Sequence, residues 1–305
     1  MKTKKFGILF LSAFSLLFFF SCSKDEPSGD TFTSFDGESL TGINDSKFYY
    51  DDKGRLIEVS DRYDSMTIDY AKGTFTLEDE VYKFKTNGDG YITEITYSYD
   101  EIDEWDGYKY QYKGNGKYTI TYSNDVITKM EVTYSETEKD LNTNETEKFE
   151  SEGKFTLTWK SNMLTAINIK GKEKEDGETD TWEDDYIIDY GHEANAFRQY
   201  PLTITEDALY FDHGMACMAA VGMFGKGPAM LPEYIEGNDD SYYWDTDINF
   251  SLNPNGSIKR EVTDYDTYTY YYNDLSSRFN SAPAVVKDKK PGKFFQKRLK
   301  ERRMK

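Results

Sequence analysis

Cysteine and histidine are scarce in this chain of 305 residues, with two of each. Cys22 ends an apolar N-terminal stretch, which leaves Cys217 alone in the rest of the chain and excludes an internal disulfide once Cys22 is otherwise used. His192, His213 and one thiol are too few for the usual tetrahedral zinc sets. No metal and no other cofactor is expected. A nucleophilic Cys217 would need an activating base. His213 stands one helical turn before it, but the apolar surroundings Met215–Val221 read as those of a buried, inert thiol. Basic residues are also short. The formal charge is −19; with the three leader lysines and the net +8 of residues 287–305 set aside, residues 22–286 carry −30. Such a body repels nucleic acid and anionic lipid, so no nucleic-acid partner is expected. The apolar run Phe6–Phe20, fifteen residues, falls short of the ~20 that a membrane-crossing helix needs.

What that run does have is an address. Lys2, Lys4 and Lys5 precede it and Ser21-Cys22 follows, the three parts of a secretory signal. Phe19-Phe20-Ser21-Cys22 resembles a lipobox, although phenylalanine at the two upstream positions departs from the usual Leu-Ala/Ser. The resemblance implies cleavage after residue 21 and acylation of Cys22. Several acyl chains at ~0.8 kcal/mol per buried CH₂ would hold the protein on a membrane. Lys24-Asp25-Glu26 resembles the export tag that follows the acylated cysteine in surface lipoproteins of Bacteroidetes. It implies a location on the outer membrane, facing the exterior. Residues 22–40 read as a flexible tether, 41–277 as one domain, and 278–305 as a basic, mobile tail.

The body is rich in aromatics, with 26 Tyr and 20 Phe, which favours strands. Period-2 alternation recurs in Tyr91/Thr93/Ile95/Tyr97/Tyr99, Tyr108/Tyr110/Tyr112, Tyr118/Ile120/Tyr122, Met130/Val132/Tyr134 and Phe155/Leu157/Trp159. Turn signals punctuate it at Asp51–Gly54, Asn87–Gly90, Lys113–Gly116 and Asn253–Gly256. Phe48–Val59, Tyr82–Ile95 and Phe250–Val262 form a loose internal repeat of strand, glycine turn and strand. Regular hairpins predict an all-β fold: an antiparallel meander forming an open or closed barrel, with a two-sheet sandwich as the alternative. One helix is predicted near 207–224, capped by Thr205 or Asp207 and stopped at Gly225.

The Cys-Ser-Lys-Asp-Glu start, the tyrosine-rich hairpins and the segment Gly222-Met-Phe-Gly-Lys-Gly-Pro-Ala-Met-Leu-Pro232 together resemble a family of uncharacterised Bacteroidetes surface lipoproteins, grouped as a domain of unknown function with a porin-like fold. The resemblance covers roughly residues 40–275 and implies a barrel; it implies no activity. A membrane-spanning barrel is not expected, because charged residues recur at mid-strand on the outward faces.

Asn87-Gly-Asp-Gly90 has the look of a calcium loop, but Lys85 and Thr96 fall where carboxylates belong, so a hairpin turn is the reading. Glycosidases need two carboxylates ~5–10 Å apart; among 56 acidic residues no spacing singles out a pair. The sequence therefore leans away from an enzyme. Trp105, Trp182 and Trp244 sit among acids and are expected in exposed loops, where their rings could stack on sugars. The favoured function is non-enzymatic binding of a ligand or envelope partner, with a glycan as the candidate. The alternatives are a carboxylate-dependent glycoside hydrolase and a purely structural envelope protein.

Overall fold

The computed structural model describes residues 38–274, apart from 63, 64, 78, 79, 106, 176, 240 and 241. The leader, Cys22, the Lys24-Asp25-Glu26 tag, most of the tether and the basic tail lie outside the described residues. Six short strands come first: β1 Glu38–Ile43, β2 Ser46–Tyr50, β3 Leu56–Ser60, β4 Ser65–Asp69, β5 Thr74–Leu77 and β6 Glu80–Thr86. Long strands follow: β7 Ile92–Trp105, β8 Tyr108–Ser123, β9 Val126–Asp140, β10 Thr146–Lys160, β11 Met163–Glu175, β12 Glu178–Ala194 and β13 Met230–Asp239. Four short ones close the set: β14 Tyr242–Asp247, β15 Asn249–Leu252, β16 Ile258–Val262 and β17 Thr267–Asp274.

Each strand from β1 to β14 pairs antiparallel with the next. Ladders resume from β15 through β17, which returns to β1. Only Ile248 separates β14 from β15, and its N–H donates to Glu233 O of β13 at 2.8 Å. The seventeen strands thus make a nearly closed barrel rather than a sandwich.

The three repeat copies share one geometry. Asp51 N donates to Arg55 O at 3.0 Å, Asn87 N to Tyr91 O at 2.9 Å, and Asn253 N to Ser257 O at 2.9 Å. Gly54, Gly90 and Gly256 hold positive φ of 78°, 84° and 86°, which side-chain-bearing residues resist. Each copy then carries a bulge that leaves Ile57, Thr93 or Lys259 as an extra residue. The bulge brings Leu56, Ile92 and Ile258 inside, each no more than 1% exposed. The expected alternation Tyr91/Thr93/Ile95 breaks here for this reason: simple alternation cannot cross a bulge.

A second expectation fails at Lys113–Gly116. These residues are the middle of β8, not a turn. Gly116 lies opposite Tyr97 and Gly114 opposite Tyr99. A Cβ on either glycine would come within 2.3 Å of the tyrosine ring lying over it. The glycines make room for rings, as cross-strand aromatic–glycine pairs do.

A ring this wide is not filled by its own side chains. Residues 195–229, between β12 and β13, fill it. Their backbone reaches several walls: Ile92 N donates to Met223 O at 2.9 Å, Lys226 N to Asp125 O at 2.7 Å and Ala229 N to Asn162 O at 2.9 Å. Wall and plug residues share one apolar core, including Ile95, Met130, Leu164, Leu202, Met218 and Phe224. The predicted helix is shorter than expected. A π-helical turn spans Ile204–Ala208, Tyr210 takes a left-handed φ of 56°, and the α-helix α1 runs only over His213–Ala220. Asp212, not Thr205 or Asp207, caps it, accepting from Met215 N at 2.7 Å. All of α1 after His213 is buried, which is why it is apolar all round.

Outside, the mid-strand rows are ionic. Glu94 pairs with Lys85 at 2.6 Å and Lys117 at 2.8 Å, Lys129 with Glu131 at 2.5 Å, and Lys170 with Glu183 at 2.9 Å. Lipid-spanning barrels have the opposite arrangement, an apolar band outside. No helix among the described residues is long and apolar enough to cross a membrane.

The plug is tied down by Glu261. In the repeat this position is Val59 and Ile95; in the third copy it is a fully buried carboxylate. Burial pushes its carboxyl up, and three donors oppose that: Leu202 N and Thr203 N at 3.0 Å and Tyr270 OH at 2.7 Å. Restoring the repeat with Glu261→Val should therefore destabilise the protein, because each orphaned buried donor costs ~1–3 kcal/mol. Urea unfolding measures this; an unchanged midpoint would show that the anchor is dispensable.

Candidate functional site

Directly opposed residues on paired strands share a face. Continuing the buried rows of Tyr118 and Val132 along the long strands gives the inner face beyond the plug. One row reads Tyr99, Gly114, Glu136, Phe149, Glu175, Glu178. The next reads Glu101, Tyr112, Glu138, Glu147, and the last Asp103, Tyr110, Asp140. Lysines take the other face: Lys109, Lys113, Lys139, Lys148, Lys172 and Lys174. Outside, lysines and carboxylates are mixed and several pair, as in Lys109–Glu104 at 3.0 Å and Lys113–Asp100 at 2.9 Å. Inside, the wall is tyrosine, tryptophan and carboxylate. From Gly116 to the β7–β8 turn it rises roughly 30 Å at ~3.4 Å per residue.

Hydroxyl networks fix the rings. Tyr99 and Tyr134 hydroxyls lie 2.5 Å apart, and both donate to Glu136, Tyr134 at 2.8 Å. Burial, then Glu138, Asp103 and Glu136, push the Tyr112 phenol up to about 12. Burial, then Asp140 and Glu138, raise Tyr110 as well. The floor is Tyr210 of the plug. It donates to Asp184 at 2.6 Å and meets the Tyr186 hydroxyl at 2.6 Å. Its left-handed backbone is costly for a bulky residue, and these contacts hold it there.

The tryptophans are not in loops. Trp182 lies within β12 and Trp244 within β14, both half-buried. A Cβ on Gly171 would sit 2.0 Å from the Trp182 ring, and one on Gly237 2.5 Å from Trp244. Trp244 also meets Tyr186 edge-on at 5.9 Å, and Tyr186 meets Tyr210 at 6.2 Å. Trp182 and Trp244 are thus gathered on the inner face, one edge against a glycine strand. Trp105 closes β7 opposite Tyr108, which is 53% exposed. Trp159 is half-buried against the core and donates to Ile127 O at 2.7 Å. The glycine signal was present in the sequence: the alternation 108-110-112-114-116-118-120 stays in phase through both glycines, which a turn would break.

Elsewhere, the Asn87 side chain caps its own turn, accepting from Asp89 N at 3.0 Å and Tyr91 N at 2.9 Å. Cys217 is fully buried, and burial pushes its thiol up. His213 Nε2 lies 3.6 Å from Cys217 Sγ and 3.0 Å from Ser46 Oγ; its Nδ1 lies 2.8 Å from Glu206 Oε1. Tyr268 OH donates to the other Glu206 oxygen at 3.0 Å. This network ties α1 to β2, the π-turn and β17.

No family model and no curated protein matches the chain. A porin-like protein from Bacteroides vulgatus is 12% identical with a TM-score of 0.49, over 77% of this chain and 99% of that one. A porin-like protein from Bacteroides uniformis is 14% identical with a TM-score of 0.30, over 81% of this chain and 100% of that one. Likeness at this level assigns neither a site nor an activity, and the barrel rests on its own ladders.

Cys217 and the Glu206 carboxylate beside Nδ1 hold the His213 pKa above its usual 6.5, against the pull of burial. A raised histidine stabilises the fold fully below its unfolded pKa and loses that contribution as pH rises through the folded value. The stability gap between wild type and His213→Gln should be widest below about pH 6.5 and narrow as pH rises above it. A gap independent of pH in denaturant titrations would refute the charged pairing.

Proposed function

We propose that this protein is a lipid-anchored envelope protein, tethered through Cys22, exported on Lys24-Asp25-Glu26 to the exterior face of the outer membrane, and that it binds a glycan without turning it over. The observation that carries the binding reading is the single-sided inner wall. Rings of Tyr110, Tyr112, Trp182 and Trp244 line a face whose carboxylates and phenols can take hydrogen bonds from sugar hydroxyls. Stacking a ring on an apolar sugar face removes area from water at ~25 cal/mol per Å² before ordering costs, so useful affinity needs several such contacts. The wall supplies them in register on rigid strands. The water-compatible outer face and the partly plugged lumen suit a displayed platform held by lipid. Trp105 belongs to this reading by its position at the rim of β7.

Two experiments test it. Cys22→Ser should move the protein to the soluble fraction or leave it unprocessed and abolish palmitate labelling; unchanged fractionation and labelling would end the anchoring proposal. On a glycan array, the lipid-free chain should bind, and Tyr112→Ala or Trp182→Ala should weaken binding at least tenfold. Turnover on the array would point instead to the hydrolase. A blank array would leave a structural envelope protein.

A further inference from the structure

The chain enters and leaves the barrel at one point. β1 pairs with β17 in the register Glu38↔Asp274, so the strand that follows the tether and the strand that precedes the tail meet at their outer ends. Asn255 Nδ2, in the third repeat turn, donates to Glu38 Oε2 at 3.3 Å, which fixes that turn at the same end. An antiparallel meander sends alternate turns to opposite ends. The repeat turns Asp51–Gly54 and Asn87–Gly90 therefore also lie beside Glu38 and Asp274, and the chamber of tyrosines and tryptophans opens at the far end.

The two ends differ in charge. Between strands at the mouth the sequence is acidic, with Asp45, Asp61, Glu145, Asp264 and Asp266 among its residues and Arg62 alone of opposite sign. The turns at the other end are near balance: Lys53 and Arg55 stand against Asp51 and Asp52, Lys72 pairs with Asp69 at 2.6 Å and Lys226 with Asp125 at 2.8 Å. An anionic surface is repelled by the first end far more than by the second. Beyond Asp274 the sequence supplies the attraction. Residues 287–305 lie outside the described residues; they hold ten basic residues and two acidic ones, with Phe294, Phe295 and Leu299 among them. Lys287 stands thirteen residues after Asp274, and Cys22 sixteen before Glu38. At ~3.3–3.6 Å per residue, each lies within ~60 Å of the shared exit, so the basic block reaches any surface that holds Cys22. A polybasic segment beside a lipid anchor adds an electrostatic hold on anionic headgroups, and interleaved apolar residues add burial at the interface.

We propose that residues 287–305 bind anionic, phosphate-bearing lipid headgroups of the membrane that holds Cys22, so that the barrel stands on its Glu38–Asp274 end with the chamber mouth turned away from the surface. The orientation rests on the lipid-anchored reading; the headgroup contact needs no acyl chain and is tested without one. The lipid-free chain should sediment with vesicles of equal parts phosphatidylcholine and phosphatidylglycerol at least tenfold more than with phosphatidylcholine alone, and should be released at high salt, where charge is screened. The variant Lys297→Gln/Arg298→Gln/Arg302→Gln/Arg303→Gln should lose that preference at an unchanged melting temperature, because the barrel is untouched. For orientation, the acylated chain is labelled with a fluorophore through Asp52→Cys, at the tail end, or Asn142→Cys, at the mouth; Cys217 is fully buried and out of reach of the label. In the anionic vesicles a headgroup-bound quencher should dim the first label several-fold more than the second. Equal quenching would overturn the orientation, and equal sedimentation with both vesicles would overturn the headgroup contact. Zero-length crosslinking of tail lysines to barrel carboxylates, undiminished by anionic vesicles, would show the tail docked on its own barrel and overturn the proposal as a whole. Failure of the anchor reads out separately, in the fractionation of Cys22→Ser, and leaves the vesicle result standing.

Discussion

A barrel of seventeen strands encloses more space than its inward side chains can fill, and the rest of the structure follows from that constraint. An apolar inner face facing water would cost the fold its main driving force. The chain answers with residues 195–229, which carry their own apolar residues into the lumen and merge with the wall in one core. The plug brings backbone polar groups with it, and these need partners. Wall carbonyls of Asp125 and Asn162, the Ile92 N–H and the Glu261 carboxylate supply them. Glu261 shows how a repeat is adapted: the position that is apolar in two copies becomes ionic where the plug needs an anchor.

The plug fills only part of the height. The long strands run past it, and among the described residues no apolar plug packs on that part of their inner face. There the sequence changes from Ile, Val and Met to Tyr, Trp, Glu and Asp while the alternation keeps its phase. Glycines opposite Tyr97, Tyr99, Trp182 and Trp244 let rings lie flat on the neighbouring strand, which stiffens a wall that lacks a packed core behind it. The same residues therefore serve the wall's rigidity and present aromatic surface to the chamber.

Polar groups beneath the short strands do a different task. His213, Glu206, Ser46 and Tyr268 join helix, π-turn and wall in one network. It satisfies polar atoms at the plug's edge, where burial without partners would be expensive. Cys217, fully buried beside it, fills space as a small apolar residue would.

The sequence by itself determined the all-β class, the hairpin order and the three repeat turns, because those depend on neighbours within a few residues: alternation, glycine at positive φ, and Asn or Asp caps. It also placed Cys217 in the core. What it could not determine depends on partners far along the chain. Why β8 carries glycine at 114 and 116 is decided by the rings of Tyr97 and Tyr99, a strand away. The bulges that switch Ile92 inward, the break at Tyr210 that shortens the helix, and the burial of Trp182 and Trp244 over Gly171 and Gly237 are likewise set across strands. The confinement of lysines to one face of the long strands was written in the alternation all along, but only ring closure decided which side was the inside.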